Sequence, residues 1–444
     1  MRSLVTLFAL MIVFIGLHTG ISIAPSGKML MPFALSGFGA LLILLMNQSA
    51  QTWQIASSFG GLIVWLLGMA LITSFQGGDI GQHFISTAVF VYSITVAFET
   101  GVGIERIGLS RTRRMCAVVA IILIVGSVLE LYAGLRPISD AFREAVNNWR
   151  STYAADARDI ASYGGVRPNF FASEPSVLGI MAGYSILFWF LAARRYMLRR
   201  LMVGAVLFTT AFIVIRSPTI LVCGVATLVF YFSELFVGRR ASKLRNALLS
   251  IVMLTGVTII PIVVALLTNY GHTGSYFVRE LAPPLIAARV LSKYPIFGAG
   301  LGGYSGITQL VLQSYSSSGA FARFSYIFQA VILGDSGIKH LISNQFWEFW
   351  IYFGIIGGGV ILLIIRRLLG QMRVESRLLV LGTSALLMTM SGGIDDPIGW
   401  VGLFSIAAIY RLHQEARAED DAMHTETEKE ESPRPLLHEV SHET

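Results

Sequence analysis

Charge is scarce in this chain: Asp, Glu, Lys and Arg make up 13% of its 444 residues, against 54% hydrophobic residues. One soluble core of that length cannot enclose so much apolar surface, so an ordinary soluble domain is excluded and the bilayer becomes the solvent. Cysteine is nearly absent. Cys116 and Cys223 both fall in apolar runs, and neither belongs to a CxxC or Cys/His cluster, so no disulfide framework or metal site is implied. Several catalytic signatures are also missing. Neither long loop carries a DxD pair, and no HExxH, His cluster, GxSxG or Ser/His/Asp arrangement can be argued. Metal-assisted use of nucleotide sugars is thereby disfavoured, and no cofactor is implied.

What is present is a series of apolar runs. Windows long enough to cross about 30 Å of hydrocarbon as helices recur at about 4–17, 29–46, 55–74, 84–98, 116–135, 175–193, 201–215, 218–237, 247–268, 345–365, 378–391 and 398–410. The expected fold class is therefore all-α: a polytopic membrane bundle of about 12 transmembrane helices, ten or eleven if the shorter runs do not cross. The first run follows Arg2 like a signal peptide but lacks a small-x-small cleavage site, so it reads as a retained anchor.

Four basic clusters orient the bundle: Arg106 with Arg111, Arg113 and Arg114; Arg194, Arg195, Arg199 and Arg200; Arg239, Arg240, Lys243 and Arg245; and Arg366, Arg367, Arg373 and Arg377. With twelve spans all four fall on one side, together with Arg2 and the C-terminal tail, and positive residues stay in the cytoplasm. The formal charge of +7 is then explained by topological anchors facing anionic lipid, and nucleic acid is not expected as a partner. A membrane domain is expected over 1–411, with long outer loops at about 136–174 and 269–344. From about 412 the chain becomes acidic and almost free of aromatics, which predicts a disordered cytoplasmic tail.

Chemistry has room only in the outer loops. In the second, Arg289 precedes a turn containing Gly298, Gly300, Gly302 and Gly303. Such a turn can aim amide N–H groups at an anion, and an arginine can grip phosphate bidentately. The plain alternative is a tight turn at the membrane surface. The run follows no strand and lacks the GxxxxGKS/T pattern, which argues against a nucleotide loop. In the first loop, Arg167, Asn169, Glu174 and Ser176 surround Pro168 and Pro175. Glu174 reads equally well as a site carboxylate and as part of a helix start. Arg216, in a tight Ser-Pro turn between two spans, faces either an anion or lipid headgroups. Asn344 and Glu348 lie four residues apart at the mouth of a span and so share a helical face.

The order of these features resembles the O-antigen polymerase and ligase superfamily of bacterial inner membranes. The phrase "RVLSKYPIFGAGLGGY" and then "SNQFWEFWIYFGIIGGGVILL" are similar to that family's arginine, "hPlfGvG" and "HNxxLExxxxxGxxG". Arg289, Pro295, Phe297, Gly298 and Gly300 match the first, and Asn344, Glu348, Gly354 and Gly357 the second. "RPNFFASEPSVLG" and the Arg216 turn also resemble family phrases, so the likeness covers about residues 160 to 370.

The resemblance implies a membrane glycosyltransferase that polymerises undecaprenyl-diphosphate-linked oligosaccharide repeats on the periplasmic face. Its expected partners are those lipid-linked oligosaccharides, the bilayer, and chain-length regulator and flippase proteins. In that scheme Arg289 and Arg216 neutralise the diphosphate, with Arg279 the next candidate. Arg167 holds the second substrate, and Glu348 or Glu174 orients or deprotonates the acceptor. The position where ligases carry histidine is Ser343, which favours polymerisation, although His340 lies three residues before it. A ligase remains the runner-up. A transporter using Glu130 and Glu234 as coupling groups is the alternative from another class.

Overall fold

The computed structural model describes residues 2–23, 31–46, 50–75, 79–146, 156–193, 198–236, parts of 251–263, 276–317 and 341–431. Among these residues the chain is helical, with a single antiparallel bridge, Ile23 to Met31, in place of any sheet. Its helices are α1 (Arg2–Thr19), α2 (Ala34–Met46), α3 (Ala50–Ser74), α4 (Ile80–Tyr132), α5 (Arg136–Val146), α6 (Asp156–Tyr163), α7 (Pro175–Leu191), α8 (Leu198–Ile215) and α9 (Pro218–Phe236). A π-helical turn, Phe277–Leu281, leads into α10 (Ala282–Lys293), followed by α11 (Tyr304–Ser316), α12 (Gln345–Gln371), α13 (Arg377–Met388) and α14 (Pro397–Glu431). Helices are the expected answer to an apolar solvent, because each satisfies its backbone groups within its own segment.

Among the described residues four helices, Ser57–Ser74 of α3, α4, α8 and α12, are long and apolar enough to cross a membrane by length and composition. Shorter apolar helices α1, α2, α7, α9 and α13 accompany them. At 53 residues α4 far exceeds one bilayer crossing. Gly108, at φ 77° and ψ 168°, breaks it between the two runs that the sequence separates. Residues beyond both arms of the break meet loops, His83 at Leu301 and Glu130 at Asn169, whereas Glu105 and Arg111 beside the break meet Arg411 and Ser3. The chain therefore doubles back at Gly108. Along the seam between α4, α12 and α14, Phe90 stacks edge-on to Trp400 at 5.5 Å and packs on Phe353 at 5.2 Å.

Two departures from the sequence expectations stand out. The backbone of α14 stays helical to Glu431, past residue 412, because the acidic segment is rich in helix-forming Ala, Glu, Arg and Lys and opens with an Arg411–Glu415 pair one turn apart. Residues 432–444 lie outside the described residues. Second, α12 is not one continuous span: Gly354, at φ 65°, breaks it.

The glycine turn fills that break. Ala299 N–H and Gly300 N–H each donate at 2.9 Å to the carbonyls of Ile351 and Tyr352, while Ile355, Ile356 and Gly357 donate to the carbonyls of Pro295 and Ile296. The two backbones approach so closely at Gly298 and Gly354 that a Cβ on either would collide with the other strand's backbone atoms. Gly298 and Gly300 also have positive φ, 62° and 74°. Glycine is required there by geometry.

Candidate functional site

At one end of the bundle the first turns of α7 and α9, the loop 164–174, α6 and the π-helical turn enclose an open cleft of ≈ 190 Å³. Its walls carry Arg158, Tyr163, Arg167, Glu174, Ser176 and Arg279, with Ser217 and Thr219 at the start of α9. Prolines 175 and 218 occupy the first helical positions, where a missing N–H costs nothing. Both helices thus direct their positive N-terminal ends toward the cleft.

The charged groups are held in place from behind. Arg167, 6% exposed, donates to Asp159 at 3.1 Å, and its guanidinium lies 4.0 Å over the Tyr163 ring. Arg158 approaches the same carboxylate at 3.7 Å. Across the cleft Arg279 donates to Ser176 Oγ at 3.4 Å and stands 3.9 Å from Glu174, whose carboxylate accepts Ser176 O–H at 3.1 Å. The Glu174 backbone caps α7, but its carboxylate makes no capping bond. It turns instead toward Ser176 and Arg279, so the residue starts the helix with its backbone and lines the cleft with its side chain. Three guanidinium groups against two carboxylates, with two helix N-termini, leave a net attraction for an anion.

Arg216 stands just behind this wall. Its backbone is in the left-handed region at φ 55°, a strained state for a residue with a side chain. Its guanidinium lies so close to Gly165 that a Cβ there would collide with it, and Nη1 is buried without a hydrogen-bond partner among the described residues. Arg216 does not line the cleft; the Ser217, Pro218 and Thr219 that follow it do.

Arg289, Gly298, Gly300, Asn344 and Glu348 do not line this cleft. Arg289 sits on α10 and donates to Ser317 at 2.6 Å, away from the cleft-lining residues. The Gly298 and Gly300 amides are already taken: Gly298 N–H donates to the Tyr294 carbonyl at 3.1 Å and Gly300 N–H to the Tyr352 carbonyl of the broken α12 at 2.9 Å. Asn344 is fully buried: Oδ1 accepts Trp347 N–H at 3.2 Å as the cap of α12, and Nδ2 donates to the Arg279 carbonyl at 2.7 Å. Its amide is therefore taken up by backbone, between the first turn of α12 and Arg279. Glu348 is likewise fully buried one turn further, where its carboxylate accepts Ile394 N–H and so anchors the loop between α13 and α14. His340 lies outside the described residues, as does the side chain of Glu234.

Arg167, Glu174 and Arg279 are the expected residues that the fold unites. Arg158, Asp159 and Tyr163 were missed in the sequence. The available signal was the four-residue spacing of Asp159 and Tyr163 in the short helix "DARDIASY". Glu280, beside Arg279, is also new. Burial pushes its carboxyl up to about 8 against the opposing pull of Arg279, and its Oε1 is buried without a partner among the described residues.

Fold and cleft together define an all-α, membrane-embedded protein with an arginine-lined cleft at one end of its bundle. No protein-family model, curated protein or solved structure matches the chain.

Proposed function

We propose that this protein is an inner-membrane glycosyltransferase that joins undecaprenyl-diphosphate-linked oligosaccharide repeats at its outer face. The observation that carries this reading is the convergence of Arg158, Arg167, Arg279 and Glu174 where α7 and α9 begin. That arrangement suits a diphosphate beside a hydroxyl to be activated. In this mechanism Arg279 and Arg167 hold the diphosphate, with Arg216 behind them adding positive potential. The acceptor hydroxyl oxygen attacks the anomeric carbon of the donor sugar as the bond from that carbon to the diphosphate oxygen breaks. Glu174 takes the hydroxyl proton, and undecaprenyl diphosphate leaves with its charge held by the arginines. The bundle crosses the membrane about twelve times, with the cleft in the periplasm and both termini in the cytoplasm. Its partners are the lipid-linked repeats, the bilayer, and the chain-length regulator and flippase proteins of the same process.

The glycine-broken helix α12 is a feature that favours a transporter, since such breaks build ion sites in transporters. Here the free carbonyls of Ile351 and Tyr352 already accept bonds from Ala299 and Gly300, so they do not await an ion. Deleting the protein from its host tests the reading. Glycan that stops at one repeat supports polymerisation. Polymer that stays on its lipid carrier indicates a ligase, and lipid-linked repeats trapped on the inner face would indicate a transporter.

A further inference from the structure

The loop that carries Arg167 is bolted to the bundle at three consecutive residues. From α4, the Glu130 carboxylate accepts Asn169 N–H through Oε1 at 3.0 Å and Phe170 N–H through Oε2. From α1, His18 Nε2–H donates to the Phe170 carbonyl at 2.6 Å. From α5, Ser139 Oγ accepts Phe171 N–H at 2.9 Å. The Phe170 ring lies on Gly126, one turn before Glu130 on α4, in space that a side chain at 126 would fill.

The turn requires such restraint. Phe170 and Phe171 have φ values of 40° and 65°, a region that bulky residues avoid. Left unheld, this stretch would relax to extended backbone and carry its flanks with it. Those flanks are the site: Arg167 lies two residues before Asn169, and Glu174 three residues after Phe171.

A carboxylate suits this task where its isostere does not. Glu130 is 2% exposed, and its two oxygens meet two N–H donors. Glutamine at this position would offer one oxygen and turn its own NH₂ against the second donor. An ionisable residue on an apolar helix is costly unless it is partnered, and here backbone amides are its partners.

We propose that Glu130 is a positioning residue: its carboxylate, with His18 opposite, locks the 169–171 turn so that Arg167 and Glu174 face one substrate. This rests on the cleft being the transfer site. It also gives Glu130 a role other than the coupling group of a transporter.

The test uses the full-length protein in lipid nanodiscs for hydrogen exchange, and the host strain for polymer formed per unit of inserted protein. In Glu130→Gln, peptides covering 165–174 are expected to exchange about tenfold faster, with α7 and α9 unchanged. Polymer should fall about a hundredfold, the scale of an ångström misplacement at a reacting centre. If Glu130→Gln does not insert, His18→Ala releases the same turn from its other side and is read in the same way. Unchanged exchange in the variant that inserts overturns the clamp. Faster exchange with normal polymer overturns the positioning role. Faster exchange in a protein whose wild type forms no polymer upholds the clamp and overturns the transfer reading alone.

Discussion

Arg279→Ala is the perturbation that most directly probes the cleft. The contacts of this guanidinium within the protein are long, 3.4 Å to Ser176 and 3.9 Å to Glu174, with the Arg279 and Glu174 side chains 20% and 27% exposed. A pair so long and so wet contributes about 0 to 1 kcal/mol to folding, so the variant should reach the membrane in nearly normal amounts. A diphosphate gripped by the planar fork is a different matter. Such charge-assisted bonds contribute about 2 to 3 kcal/mol. At about 1.4 kcal/mol per decade their loss slows transfer roughly 30- to 150-fold. Arg279→Lys keeps the charge, loses the bidentate geometry and should fall between. Arg289→Ala is the contrast, because Arg289 is bound to Ser317 outside the cleft, and it should stay within a few-fold of wild type. The assay is polymer formed per unit of membrane-inserted protein for all four proteins. Normal polymerisation by Arg279→Ala at matched abundance, or equal damage from Arg289→Ala, would refute the assignment.

Asn344 offers a separation of cap from positioning: Asn344→Ala should lose about 1 kcal/mol of stability with the helix cap. Asn344→Asp keeps the capping oxygen but sets a second oxygen against the buried Arg279 carbonyl, so it should melt below wild type and, at matched abundance, polymerise more slowly; equal activity would remove the positioning role. Gly298→Ala should sharply reduce inserted protein because its Cβ meets Ile351 O and Gly354 N, whereas Gly306→Ala, with open space around it, should not; comparable levels would count against the docked break. For pH, Glu280 is raised from 4.5 to about 8 on folding, so the folded state holds this proton more tightly than the unfolded chain. Its stabilising contribution is complete below 4.5 and is lost as pH rises through about 8, so melting temperature should decline across that window in wild type and flatten in Glu280→Gln. An equal decline in both proteins would assign the effect to another group.

The sequence by itself determined the apolar solvent and the helical state of the apolar runs. Apolar runs of membrane-crossing length can satisfy their backbone only as helices, and the starts of α7 and α9 were legible because Pro175 and Pro218 mark them. Arg167, Glu174 and Arg279 were legible as polar residues in the long segments between apolar runs. Their common site was not, because Arg279 lies 103 residues from the Ser176 it touches. Local pattern carries no record of such a meeting. The same limit applies to Arg289 and Gly300, whose partners lie elsewhere in the chain. Spacing marks a turn as able to present amides, but only packing decides whether a broken helix has already taken them, as α12 does at Ile351 and Tyr352. Asn344 and Glu348 shared a helical face as expected, yet what each side chain meets came from elsewhere in the chain, from Arg279 and Ile394. Tertiary structure decided which polar groups were consumed in holding the fold and which were left facing the cleft, because most buried donors and acceptors find a partner and the choice of partner is non-local.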